Sequence, residues 1–144
     1  MKNRILTLGA AILLLASCSS DDDTKIEYDK LTQKWYFVSE RVGGETFPYE
    51  DHEDCGKDYI QFLTDNSVRY VDVYGCEADE PLETVQEATW TRNGKTITVQ
   101  TFAGSQELVI QKLTTSTLEI KSVYDYDEDG DDETVIERYT NNPN

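Results

Sequence analysis

Eight short runs rich in β-branched and aromatic residues, separated by turn-forming residues, constrain this chain's fold more than any other feature. They are "WYFVSERV" (35 to 42), "YIQFL" (59 to 63), "VRYVDVY" (68 to 74), "ETVQEATWT" (83 to 91), "TITVQTF" (96 to 102), "ELVIQKL" (107 to 113), "TLEIKSVY" (117 to 124) and "TVIERYT" (134 to 140). Such residues suit a pleated, half-buried surface. Several runs alternate with period two: Leu118, Ile120 and Ser122 fall on one side, Glu119 and Lys121 on the other. Asn93-Gly94 is the strongest hairpin signal. Apart from the N-terminal apolar run and one turn near residues 28 to 32, no helical period shows. Eight strands with short connections predict an all-β, eight-stranded antiparallel up-and-down barrel, because closure removes exposed edges. Trp35, Phe37, Phe62, Trp90 and Leu118 are the bulky candidates for its interior. A barrel of this size is either packed solid or hollow.

The N-terminus is organised differently. Lys2 and Arg4 precede an apolar stretch, residues 5 to 16, that stops at Cys18 and turns at once into "SSDDD". This is a signal-peptide layout. At 12 residues the stretch is too short to span a hydrocarbon core, which needs roughly 20. Leu15-Ala16-Ser17-Cys18 resembles the bacterial lipobox, in which cleavage leaves a lipidated cysteine at the new N-terminus. Ser19-Ser20-Asp21-Asp22-Asp23 resembles the acidic export tag that sends Bacteroidota-type lipoproteins to the outer face of the outer membrane. The alternative for these acids is a plain solvated linker. The expected organisation is a signal peptide over 1–17, lipidated Cys18 with a flexible acidic linker over 18–29, and one domain over 30–144. The membrane is thus a partner through Cys18, and the expected location is the outer membrane, facing the exterior. Fully extended, residues 19 to 29 reach about 35 Å.

Losing Lys2 and Arg4 with the signal takes the net charge from −16 to −18. So acidic a surface repels nucleic acid and anionic lipid, which excludes nucleic acid as a partner and favours cations and basic groups.

Three cysteines in an exported chain would leave an odd thiol, but the anchor uses one and leaves Cys55 and Cys76. If Asp65-Asn66 forms a two-residue hairpin loop, opposed residues have numbers summing to 131, and Cys55 and Cys76 face each other. A disulfide is expected there; the alternative is two free thiols, which is unusual for a secreted domain.

The opening "LTQKWYFVSERVGGE", the segment "CGKDYIQFLTDNSVRY", the second cysteine and the hairpin "WTRNGKTITV" together resemble the lipocalin-like domains of exported Bacteroidota-type lipoproteins. The resemblance spans residues 30 to 140. Gln33 stands where lipocalins usually carry a glycine two residues before the tryptophan, and Asn66 where many relatives carry a turn glycine. Membership implies a small cup-shaped barrel with Trp35 near its floor, and no catalytic set.

In such a barrel alternate connections lie at opposite ends. Asp65-Asn66, Asn93-Gly94 and residues 114 to 116 make one end tight. Residues 43 to 57, 75 to 83, 103 to 106 and 125 to 133 make the other long and acidic, with 16 of the chain's 29 carboxylates in three of these loops. Strand one starts at the tight end, so the acidic mouth is expected to face away from the membrane. There "DYDEDGDDE" sets Asp125, Asp127 and Asp129 at alternate positions before Gly130, with Asp131 supplying a carbonyl and Glu133 a further carboxylate. This is the donor pattern of a calcium (Ca2+) loop. The helices and twelfth-position glutamate of an EF-hand are missing, since that position is Ile136. The alternative is a solvated acidic turn.

No catalytic residues are expected. His52, the only histidine, sits among Glu50, Asp51, Glu53 and Asp54 as a solvated residue, and neither a Gly-x-Ser-x-Gly elbow nor zinc spacing occurs. Two functions remain. One is a surface-anchored cup for a small apolar or glycan ligand, with calcium at its rim. The other is a structural lipoprotein with a filled barrel whose acidic loops contact another envelope protein.

Overall fold

The computed structural model describes residues 26–143, so the signal peptide, Cys18 and the export tag lie outside the described residues. Nine strands form one antiparallel sheet: β1 (Lys34–Val42), β2 (Glu45–Pro48), β3 (Tyr59–Phe62), β4 (Ser67–Glu77), β5 (Glu80–Asn93), β6 (Thr96–Thr101), β7 (Gly104–Leu113), β8 (Thr117–Tyr124) and β9 (Glu133–Thr140), neighbours in sequence order except that β3 pairs with β1 and β2 does not pair with β3. β9 returns to β1, from Tyr36↔Thr140 to Val42↔Val135, and closes the sheet. The eight expected strands form the barrel.

The ninth strand, β2, was expected as loop. Gly43 and Gly44 both have positive φ (+59° and +90°), the requirement of a tight hairpin turn that only glycine meets without strain. β2 therefore folds back on the upper half of β1, Ser39↔Pro48 to Val42↔Glu45, above the short β1–β3 pairing at Lys34 to Tyr36. A second correction concerns residues 75 to 83. They are not a long loop but the tip of the β4–β5 hairpin, paired to Glu77↔Glu80 and turned by Ala78 (φ +52°) and Asp79 (φ +66°).

The register of β3 on β4 also differs from expectation. The loop holds three residues, 64 to 66, closed by the Leu63 N–H to Ser67 carbonyl bond, with Asn66 left-handed at φ +68°. Opposed residues such as Ile60↔Tyr70 sum to 130, one less than a two-residue loop gives. Likewise Asn93 pairs with Thr96, so the next turn is Gly94-Lys95 rather than Asn93-Gly94, with Gly94 at φ +59°.

Large side chains fill the tight-turn end. Trp35, Phe62, Ile97, Ile110, Leu118 and Ile120 are fully buried, while Phe37 and Trp90 pack against this core half-buried. The entering chain seals the floor. After a single 3-10 turn, Tyr28–Lys30, Leu31 plugs the barrel and its carbonyl accepts the Trp35 indole N–H at 3.0 Å. The Glu27 N–H donates to the Leu113 carbonyl at 3.1 Å, and the Arg92 guanidinium covers the Tyr28 ring at 4.0 Å.

Candidate functional site: the barrel lumen and its mouth

Above this floor the interior changes character. A bulge between Phe37 and Ser39 reverses the faces of β1, so that Trp35 and Phe37 point inward below it and Glu40 above, where Glu40 pairs with Glu137 of β9. On β9 the inward phase is Val135, Glu137, Tyr139; on β8 it is Leu118, Ile120, Ser122, Tyr124. The Tyr139 hydroxyl donates to Glu137 Oε2 at 2.9 Å. Burial pushes the Glu137 carboxyl above the usual carboxylate range, and Glu40 adds to the effect. Burial and the nearby Glu137 raise Tyr70 and Tyr124 to about 12, and Tyr139 is raised further by the same causes. Three phenols from β4, β8 and β9 thus converge with one carboxylate. Ser122, 2 % exposed, carries a hydroxyl with no hydrogen-bond partner on this inward face.

The segment from 49 to 58 folds over one side of the mouth. Tyr49 stacks on Phe37 with centroids 4.9 Å apart and donates its hydroxyl to Asp58 Oδ2. Asp58 Oδ1 accepts the Val73 N–H at 2.7 Å. The Tyr49 hydroxyl is held protonated well above its usual range, first by burial and then by this bond. His52, expected to be solvated, is exposed but lies 3.1 Å from Asp72 Oδ1 and 3.6 Å from Asp58 Oδ2. Cys55 and Cys76 form a disulfide with Cα atoms 6.1 Å apart. The bridge is present although the register argument for it fails, since the β3–β4 pairing ends at Tyr59↔Val71, short of both cysteines. It clips the mouth segment to the β4–β5 hairpin. Gly56 permits the close approach: a Cβ there would meet Pro81 at 3.0 Å and Val73 at 3.2 Å.

Across the mouth, the 125–133 segment turns through Glu128 (φ +61°) and Gly130 (φ +101°). Of the five expected calcium donors, Asp125, Asp127 and Glu133 each bring one carboxylate oxygen within 4.8 Å of the others. The Asp129 carboxylate is not in this trio; its Oδ1 instead accepts the Asp131 N–H at 2.9 Å. Asp125 Oδ2 accepts the Gly130 N–H at 3.1 Å, and its Oδ1 is shielded from solvent without a partner. The all-oxygen donor set fits a hard cation.

Two open pockets meet at Tyr70 and Gln86. One, of about 280 Å³, also touches Phe37, Tyr49, Asp58 and Asp72; the other, of about 620 Å³, reaches Ala88, Val99, Thr101 and Gln106. β7 pairs with β8 only from Val109↔Lys121 toward the closed end. Above that level a third pocket of about 520 Å³ lies between them, lined by Gln106, Ser122 and Tyr124 among others. The sequence offered one sign of this interior: Glu137 occupies an apolar phase between Val135 and Tyr139.

Among solved structures the chain is similar to a bovine lipocalin allergen, Bos d 2, at 14% identity and a TM-score of 0.50, covering 83% of this chain and 77% of that one. A bovine odorant-binding protein, a deswapped triple mutant, aligns at 16% identity and a TM-score of 0.45, covering 80% and 76% of the two chains. No curated protein sequence matches significantly. The lipocalin-like domain profile matches residues 31–120, well over half of the chain. With the closed eight-stranded barrel already established, the chain belongs to the lipocalin-like domain family.

Proposed function

We propose that this protein is a lipid-anchored, non-enzymatic binding protein of the outer-membrane surface, whose barrel takes a small apolar or glycan ligand through a mouth facing away from the membrane. A lipocalin-like barrel fits a small-ligand binding role. The observation that carries the reading is the division of the interior: a dry core below, and above it an aromatic and polar lumen opening into contiguous pockets. Entry of the chain at the sealed end supports the orientation, because the acylated Cys18 and its linker would attach beneath the floor. Diacylated anchoring is stable, since each buried CH₂ contributes about 0.8 kcal/mol. Calcium bound by Asp125, Asp127 and Glu133 would order one side of the rim.

Native mass spectrometry of the full chain, extracted from membranes in mild detergent, tests this reading. Cargo appears as a chelator-insensitive mass of a few hundred daltons on the acylated chain. Calcium appears as a chelator-sensitive increment of about 38 daltons, the ion less two displaced protons, that Asp125→Asn abolishes. A Cys18→Ala chain is expected to lose the acyl mass and leave the membrane fraction. A bare acylated chain in every condition would replace the cup with the second reading, an acidic rim that contacts another envelope protein.

A further inference from the structure

We propose that the lumen selects a ligand bearing a protonated amine on a small apolar body, which the Glu137 and Glu40 carboxylates receive among Tyr70, Tyr124 and Tyr139. This rests on the cup reading above and names the chemical class of its ligand.

Four observations carry it. First, Glu40 and Glu137 are register partners on the inward face, and neither has an ion-pair partner among the described residues. The neighbouring basic residues Arg41, Lys121 and Arg138 occupy the opposite phase of β1, β8 and β9, outside the wall. Two facing carboxylates with no cation between them repel one another, and a bound cation relieves that repulsion. Second, Tyr139 occupies only one oxygen of Glu137 and the Tyr126 hydroxyl one oxygen of Glu40, and each carboxylate offers further acceptor positions. Third, the buried Ser122 hydroxyl is unpartnered and lies diagonal to Glu137, because Ile120 pairs with Glu137 and Ser122 with Val135. An ammonium group has three donors, and Glu137, Glu40 and Ser122 supply acceptors for them. Fourth, an aromatic ring attracts a cation placed over its face, and the apolar Phe37, Ala88 and Val99 line the adjoining pockets for the ligand's body. A carboxylate-bearing ligand would meet two like charges within a chain of net charge −16.

The test uses three probes with one phenyl body: phenethylammonium, 2-phenylethanol and phenylacetate, titrated calorimetrically into the full chain in detergent at neutral pH. The amine is expected to bind about tenfold tighter than the alcohol, as a charge-assisted hydrogen bond predicts, and phenylacetate weakest. Glu137→Gln should bring the amine's affinity level with the alcohol's for the same variant. An alcohol that binds wild type as tightly as the amine overturns the amine assignment and leaves the cup standing. So does an amine preference that neither Glu137→Gln nor Glu40→Gln reduces. Failure of all three probes to bind also overturns the amine assignment, and the cup reading then stands or falls on the native mass measurement.

Discussion

Asp58 Oδ1 accepts the backbone N–H of Val73 at 2.7 Å, from a carboxylate only 3 % exposed. The Tyr49 hydroxyl donates to its other oxygen, so one side chain fastens the mouth segment to β4. Asp58→Ala strands both donors and is expected to lower unfolding free energy by about 3 kcal/mol, the cost of unmade bonds to a buried charged group. Tyr49→Phe, which removes one donor and leaves Val73 paired, should cost about 1 kcal/mol. Urea denaturation of the full chain and its variants measures both, and a loss for Tyr49→Phe as large as for Asp58→Ala would refute this division of roles.

The Cys55–Cys76 disulfide closes a loop of sequence separation 21. Chain-entropy arguments for a loop of that length give about 3 kcal/mol. Cys55→Ser/Cys76→Ser is expected to lose that amount and to melt at the same urea concentration with or without reductant. Wild type should fall to the variant's midpoint when reduced. Retention of the wild-type midpoint under full reduction would mean that Asp58 and Tyr49 hold the mouth segment without the bridge.

The β4–β5 tip carries a correctable strain. Ala78 and Asp79 both sit at positive φ, and a left-handed L-residue costs about 1 to 2 kcal/mol, least for Asn and Asp and nothing for Gly. Ala78→Asn with Asp79→Gly installs the residues this two-residue turn favours. The double variant should gain about 1 kcal/mol in urea denaturation, with no effect on ligand titrations because the turn is exposed. A loss of stability would show that the turn is held by something other than its φ requirement.

The barrel was legible in the sequence because eight β-rich runs and their turns are local signals, and closure follows from edge avoidance. Register was not, since one extra residue in the loop at Asn66 moves every pair of β3 on β4 by one. β2 was signalled by Gly43-Gly44, but its four residues are all exposed and show no apolar phase. The lumen was least legible. Whether Glu40 or its neighbours Ser39 and Arg41 point inward depends on the bulge after Phe37, and a single irregularity reverses the face of everything beyond it. Glu137 is illegible in the sequence for a related reason: its meaning comes from Tyr70 and Tyr124, which the barrel brings to it from distant strands. The acidic rim had the opposite fate. Its composition was conspicuous, yet of its four expected carboxylate donors folding gathers those of Asp125, Asp127 and Glu133 and leaves Asp129 out.

Glu137 gives the last prediction its sign. Burial, with Glu40 nearby, raises its folded-state pKa above the ordinary carboxylate value. Between the unfolded and the folded pKa the native state therefore binds more protons than the unfolded chain, and Glu137's contribution to stability falls as pH rises through that window. Above the window it is a constant penalty; below the unfolded value the penalty disappears. Glu137→Gln keeps an oxygen to accept the Tyr139 hydroxyl and removes the charge. The variant should be more stable than wild type at pH 7, and the gap should close as pH falls below about 4. Other acids titrate over the same range, so only the difference between variant and wild type, measured by urea denaturation at each pH, isolates this group. A gap independent of pH would mean that the Glu137 charge carries no penalty in the lumen. A cation such as the proposed amine, added at pH 7, should narrow the same gap by stabilising wild type more than the variant, because only wild type presents the Glu137 charge to receive it.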